Sequence, residues 1–143
     1  MAKSVSNILI LEDDFDLARG WRIALQKNGH EVTCSYTSSE AITHADHEKF
    51  DIYIVDLKID IDVEAMADSG VKLLGHLSRI FPNAEIPHRV IGVSGLAISD
   101  DDSQTRHAFR MFEVRNFLPK PFDAATLVTT VEKCLSELQR FES

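Results

Sequence analysis

No apolar stretch of this 143-residue chain approaches the ~20 residues that a membrane-spanning helix needs. The N-terminus, Met-Ala-Lys-Ser-Val-Ser-Asn, lacks the apolar core of a signal peptide, so the chain is expected to stay in the cytoplasm and off the membrane. Positive charge is scarce and scattered: 15 Lys and Arg face 23 Asp and Glu, a formal net charge of −8. Phosphate contacts need clustered cations, which argues against nucleic-acid binding by this chain. Cysteine is scarcer still. Cys34 and Cys134 have neither metal-ligand spacing nor the density of a disulfide scaffold, and read as reduced thiols. Cys134 falls on the apolar face of an expected helix, where it reads as a small buried hydrophobe. Repeats and low-complexity segments are also lacking, and the length suits one domain with a substantial core.

What is present is an alternation of short apolar runs with segments of helical period. Residues 7–11, 52–55 and 90–93 are apolar without polar alternation, as in strands covered on both faces of a parallel sheet. His30-Glu31-Val32-Thr33-Cys34 and Arg115-Asn116-Phe117-Leu118 are weaker runs, expected at or near the edges. Between them, Asp16 to Asn28 places Leu17, Trp21 and Leu25 on one helical face, with Gly29 as its stop. Ser39 to His47 is a shorter, more polar helix, and Gly70 to Phe81 carries Val71, Leu74, Leu77 and Phe81 before Pro82 ends it. Ser99 opens a helix to about Phe112 with a thin apolar stripe. Ala124 to about Phe141 is the clearest, through Leu127, Val128, Val131, Cys134, Leu135, Leu138 and Phe141. Five strands alternating with five helices predict an α/β fold: a five-stranded parallel, doubly wound, flavodoxin-like sheet of strand order 2-1-3-4-5.

Chemistry-bearing residues recur at the strand ends. The first run closes on Glu12-Asp13-Asp14, the third on Asp56 and the fourth on Ser94, and Phe117-Leu118-Pro119 leads into Lys120-Pro121-Phe122. In a parallel sheet these ends converge on one crevice, where open α/β sheets bind their ligands. Acid pair, lone Asp, hydroxyl and Lys in that order resemble a response-regulator receiver domain over nearly the whole chain. The chain is read as a single receiver domain, 1–143 with its core at about 6–141. Only Glu142 and Ser143 follow the last helix, so no output domain is expected within it, whether it is free-standing or the N-terminal piece of a longer regulator.

Three carboxylates held close repel one another, and a hard divalent cation resolves this. Mg²⁺ takes oxygen ligands and keeps several waters. The resemblance implies Asp13 and Asp56 as direct ligands, Glu12 acting through water, and the backbone carbonyl of Lys58 completing the protein's share. It implies Asp56 as the nucleophile that attacks a phosphohistidine of a histidine kinase or phosphotransfer protein. That partner would dock over the first helix near Phe15 and the loop at Lys120. Lys120 would supply the second positive charge, against the plain reading of a surface Lys, and Pro121 is a candidate cis-proline. Ser94 corresponds to the switch hydroxyl and Phe117 to the switch aromatic, although a capping Ser and a core Phe fit those positions too. Lys58 and Leu96 correspond to the side chains that flank the hydrolytic water and set the phosphoryl lifetime. Such a chain is no conventional enzyme; it phosphorylates and dephosphorylates itself, acts through an unidentified downstream protein, and is expected to be a monomer or weak homodimer.

The chain also departs from the family. Asp60 stands where Pro is common, and the first Gly after Asp56 is Gly70, which makes 57–69 a long acidic loop. Its Asp60, Asp62 and Glu64 invite a calcium-loop reading, but Ala65 and Val71 stand where that loop requires Gly and Glu. Asp14 reads as a solvent-facing acid at a helix start, and His44 and His47 as exposed residues without a third metal ligand. Two alternatives remain. A haloacid-dehalogenase-type phosphatase also uses a strand-ending Asp, Mg²⁺ and a Lys, but needs an acid where Lys58 stands. A degenerate receiver signalling without phosphate would normally have lost the acid pair or the Lys.

Overall fold

The computed structural model describes residues 6–56, 70–95 and 114–142. The expected helix from Ser99 to Phe112, the acidic loop 57–69, and Lys58 and Leu96 lie outside them. The elements run β1 (Asn7–Leu11), α1 (Phe15–Lys27), β2 (Glu31–Ser35), α2 (Ser38–His47), β3 (Ile52–Asp56), α3 (Gly70–Ile80), α4 (Ile86–Arg89), β4 (Val90–Ser94), β5 (Asn116–Pro119) and α5 (Ala124–Glu142). All strand pairs are parallel, in the order β2-β1-β3-β4-β5. The three uniformly apolar runs are the central strands, buried almost throughout, and the two weaker runs are the edges, where burial is only partial.

Side-chain alternation sorts the core. Leu9, Leu11, Tyr53 and Val55 pack with Ala41 and Ala45 of α2 and Leu73, Leu74 and Leu77 of α3. Ile8, Ile10, Ile52 and Ile54 pack with Ala18, Trp21 and Leu25 of α1 and Leu127, Val131, Cys134 and Leu138 of α5. The sheet is thus doubly wound.

Local signals set the helix ends. The Asp14 carboxylate accepts from the amides of Asp16 (3.0 Å) and Leu17 (3.1 Å), so α1 starts at Phe15, one residue earlier than its apolar period suggests. Gly29, at φ 89°, supplies the left-handed residue that follows it. Thr37 and Glu40 form a reciprocal capping box on α2, stabilising that short helix by about 1 kcal/mol.

Three expectations on the core need correction. Leu17 is 39% exposed and Ala18 wholly buried, because positions four apart drift around the helix and α1 presents Ala18, Trp21 and Leu25 to the sheet. In α3 it is Leu73 that joins Leu74 and Leu77 on the buried face, while Val71 is only partly buried. Phe141 is exposed rather than core, its ring lying 5.5 Å from that of His88. The four-residue α4 was not legible, being too short to show a period.

Candidate functional site

Strand register builds the site. Leu11 pairs with Val55, so Glu12 lies level with Asp56 at the C-terminal ends of β1 and β3. Ser94 pairs with Pro119, and the Lys120 amide donates to the Ser94 carbonyl at 2.8 Å, which ties the start of the next loop to the end of β4. Glu12, Asp56 and Lys120 each continue the alternating series of their strand that faces α1 and α5. One face of the sheet therefore delivers all three side chains to one point.

There the Lys120 ammonium donates to Asp56 Oδ2 at 3.0 Å and contacts Glu12 Oε1. Glu12 is wholly buried and Asp56 2% exposed, so the partly desolvated ammonium meets two acids that water hardly reaches. Burial alone would pull the Lys120 pKa down, yet its contacts with Glu12 and Asp56 carry it above its ordinary value. Glu12 Oε2 also accepts the Asp14 amide at 3.0 Å, which orients its carboxylate. Ser94 is buried, and Phe117 is half-buried opposite Gly92 in the β4–β5 register. The Lys120–Pro121 peptide is cis. Asp14 is exposed and serves as the cap of α1, and His44 and His47 are exposed.

The exposed Asp13 completes an acid trio: Glu12, Asp13 and Asp56 each offer an oxygen, all within 4.8 Å of one another. Partial desolvation, then a hydrogen bond and repulsion from Glu12, push the Asp13 pKa up to about 6, with Lys120 only partly opposing them. Among the described residues three carboxylates face one ammonium, an excess of negative charge within a few ångströms, and hard oxygen donors in that arrangement fit Mg²⁺.

The Asp13 shift has a stability consequence. The folded state holds this proton more tightly than the unfolded chain, so without divalent cations stability falls as pH rises from about 4 through about 6. Asp13→Asn is expected to raise the melting temperature at pH 7.5 by about 3 °C in chelator, a modest figure because the carboxyl is exposed. The gain should shrink as pH falls through 6 toward 4, and differential scanning fluorimetry across that range checks it.

Two neighbours of the site were not singled out from sequence. Trp21 of α1 lies with its ring centroid 6.0 Å from Lys120 Nζ, and it stacks on Phe122 at 5.3 Å. Its helical period marked Trp21 only as core.

Fold and site together define a class: an open parallel α/β sheet with an acid trio and a lysine gathered at its strand C-termini. Residues 8–132 match the family model of the response regulator receiver domain, and the chain belongs to that family, the receivers of two-component signalling. It is 28% identical over 132 residues to the response regulator receiver protein CpdR of Brucella abortus, covering 92% of this chain and 98% of that one. It is also 28% identical over 133 residues to the DNA-binding transcriptional regulator NtrC of Azospirillum brasilense, covering 93% of this chain but 25% of that one. Among solved structures, a CheY-like receiver domain protein from Methanospirillum hungatei superposes with TM-score 0.78 at 21% identity, over 96% of this chain and 98% of that one. Among the described residues no helix is long and apolar enough to cross a membrane.

Proposed function

We propose that this receiver takes a phosphoryl group onto Asp56 from a phosphohistidine of a histidine kinase or phosphotransfer protein, and so changes the surface it offers to a downstream protein. The observation that carries the reading is the Lys120 ammonium held between the buried carboxylates of Asp56 and Glu12, with Asp13 completing the trio. An Asp56 carboxylate oxygen attacks phosphorus, the P–N bond breaks, and the imidazole leaves with the bonding pair. Lys120 holds one Asp56 oxygen, and its ammonium would meet the oxygens of the arriving group. Asp13 and Asp56 would bind Mg²⁺ directly, and Glu12, already engaged by Lys120, through water; the Lys58 carbonyl is proposed to join them. The bound ion would neutralise charge on the phosphoryl group.

Ser94 is proposed as the hydroxyl that hydrogen-bonds the phosphoryl group and Phe117 as the aromatic that follows it; the burial of Ser94 at the end of β4 and the place of the half-buried Phe117 on the paired strand β5 support this coupling. The donor would dock over α1 at Phe15, which is 64% exposed and whose ring packs 4.2 Å from that of Tyr36. A cytoplasmic location and a monomer or weak homodimer complete the reading.

Acetyl phosphate with Mg²⁺ should add the mass of one phosphoryl group at Asp56, while a generic phosphate monoester should not be turned over. Steady monoester hydrolysis would favour the phosphatase reading, and absence of any adduct the phosphate-independent one. The adduct should also be long-lived. Leu96 cannot orient an attacking water, and Lys58 is proposed to hinder access to the phosphoryl oxygens. Lys58→Asn with Leu96→Glu is expected to speed its decay roughly tenfold, ~1.4 kcal/mol of barrier, measured after donor removal at constant Mg²⁺. Unchanged or slower decay would show that these side chains do not set the lifetime.

A further inference from the structure

Lys120 carries a long, flexible side chain, and its function needs the ammonium at one point. Its backbone is held by the hydrogen bond to Ser94, while Gly95 brings no side chain against its stem, although a Cβ there would lie at contact distance, 4.0 Å from Lys120 Cδ. The indole of Trp21, the chain's one tryptophan, also stands beside it, with the ring centroid 6.0 Å from Nζ. That ring is itself fixed. It is 6% exposed and stacked on Phe122, with centroids 5.3 Å apart and planes inclined 23°. Phe122 follows Lys120 by two residues, so α1 grips the Lys120 loop through the ring of Phe122 and the ammonium together. A cation at this distance from an indole is drawn toward its face, more strongly where water is partly excluded.

We propose that Trp21 is a positioning residue for Lys120, holding the ammonium over Asp56 and Glu12 through the indole face and the Phe122 stack. The inference rests on the phosphoryl-acceptor reading of Asp56. A residue serving only to fill space between α1 and the sheet would need bulk; a positioning residue needs the aromatic face.

The test measures labelling of Asp56 by acetyl phosphate in Mg²⁺. Trp21→Leu should slow it about fivefold, while Trp21→Phe, which keeps an aromatic face, should stay within about twofold of the parent. In a Lys120→Met background, Trp21→Leu should slow the residual labelling no further. Equal slowing by the Leu and Phe variants, or an undiminished effect of Trp21→Leu without Lys120, would overturn the proposal. A second readout needs neither labelling nor the Leu variant. Indole emission responds to a nearby charge, so Lys120→Met alone should shift the emission maximum of Trp21, and an unchanged spectrum would also overturn the proposal. If the parent takes no label, the acceptor reading fails separately, and the emission spectrum still decides whether Trp21 and Lys120 are coupled.

Discussion

Asp56→Asn is expected to take no phosphoryl group from any donor while folding as the parent does. The amide is nearly isosteric with the carboxylate but cannot attack phosphorus, and loss of a nucleophile costs upward of about 10⁴ in rate. The fold should tolerate the change, because Asp56 is one of three crowded acids and Lys120 retains Glu12. Melting should therefore move by no more than about 1 kcal/mol in stability. Intact mass after incubation with acetyl phosphate, beside a thermal melt, reads both. Labelling at the parent's level would remove Asp56 from its assigned role.

The second large effect concerns Lys120. Among the described residues its ammonium is the charge that answers two buried carboxylates, so Lys120→Met removes that compensation. Breaking a fully buried pair costs about 3–5 kcal/mol; with one-fifth of the Lys120 side chain exposed, about 2–3 kcal/mol is expected at pH 7.5 in chelator. Mg²⁺ should recover much of that loss by binding the same acids. In the parent, the raised Lys120 pKa means that this stabilisation is fully present below pH 10.5 and is lost as pH rises through the higher folded-state value. Urea melts of parent and variant, with and without Mg²⁺, give both differences. A variant as stable as the parent in chelator would mean that the acids do not depend on this cation.

Much of this architecture was legible because central parallel strands write an unbroken apolar run. Ile8 to Leu11, Ile52 to Val55 and Val90 to Val93 could hardly be anything else, and chemistry at their C-terminal ends followed from the parallel arrangement. Edge strands and helix faces were harder to read. Large residues dominate a helical wheel, so Leu17 displaced Ala18 from the expected contact although the smaller residue lets α1 approach the sheet. The four residues of α4 carry no period at all. Within the site, the acid trio and Lys120 could be read as strand-end residues, whereas the Trp21 and Phe122 pairing depends on where α1 crosses the sheet, a tertiary fact without a local signature.

The central claim is an acyl phosphate at a single aspartate, and its chemistry offers a direct trap. Borohydride reduces an aspartyl phosphate to homoserine, whereas phosphate on a hydroxyl or an imidazole is not converted. After incubation with acetyl phosphate and Mg²⁺, reduction and peptide mapping should find homoserine at position 56 alone, and none when the metal is chelated throughout. Homoserine at another aspartate, an equal yield in chelator, or phosphate retained on a hydroxyl or imidazole would contradict the account.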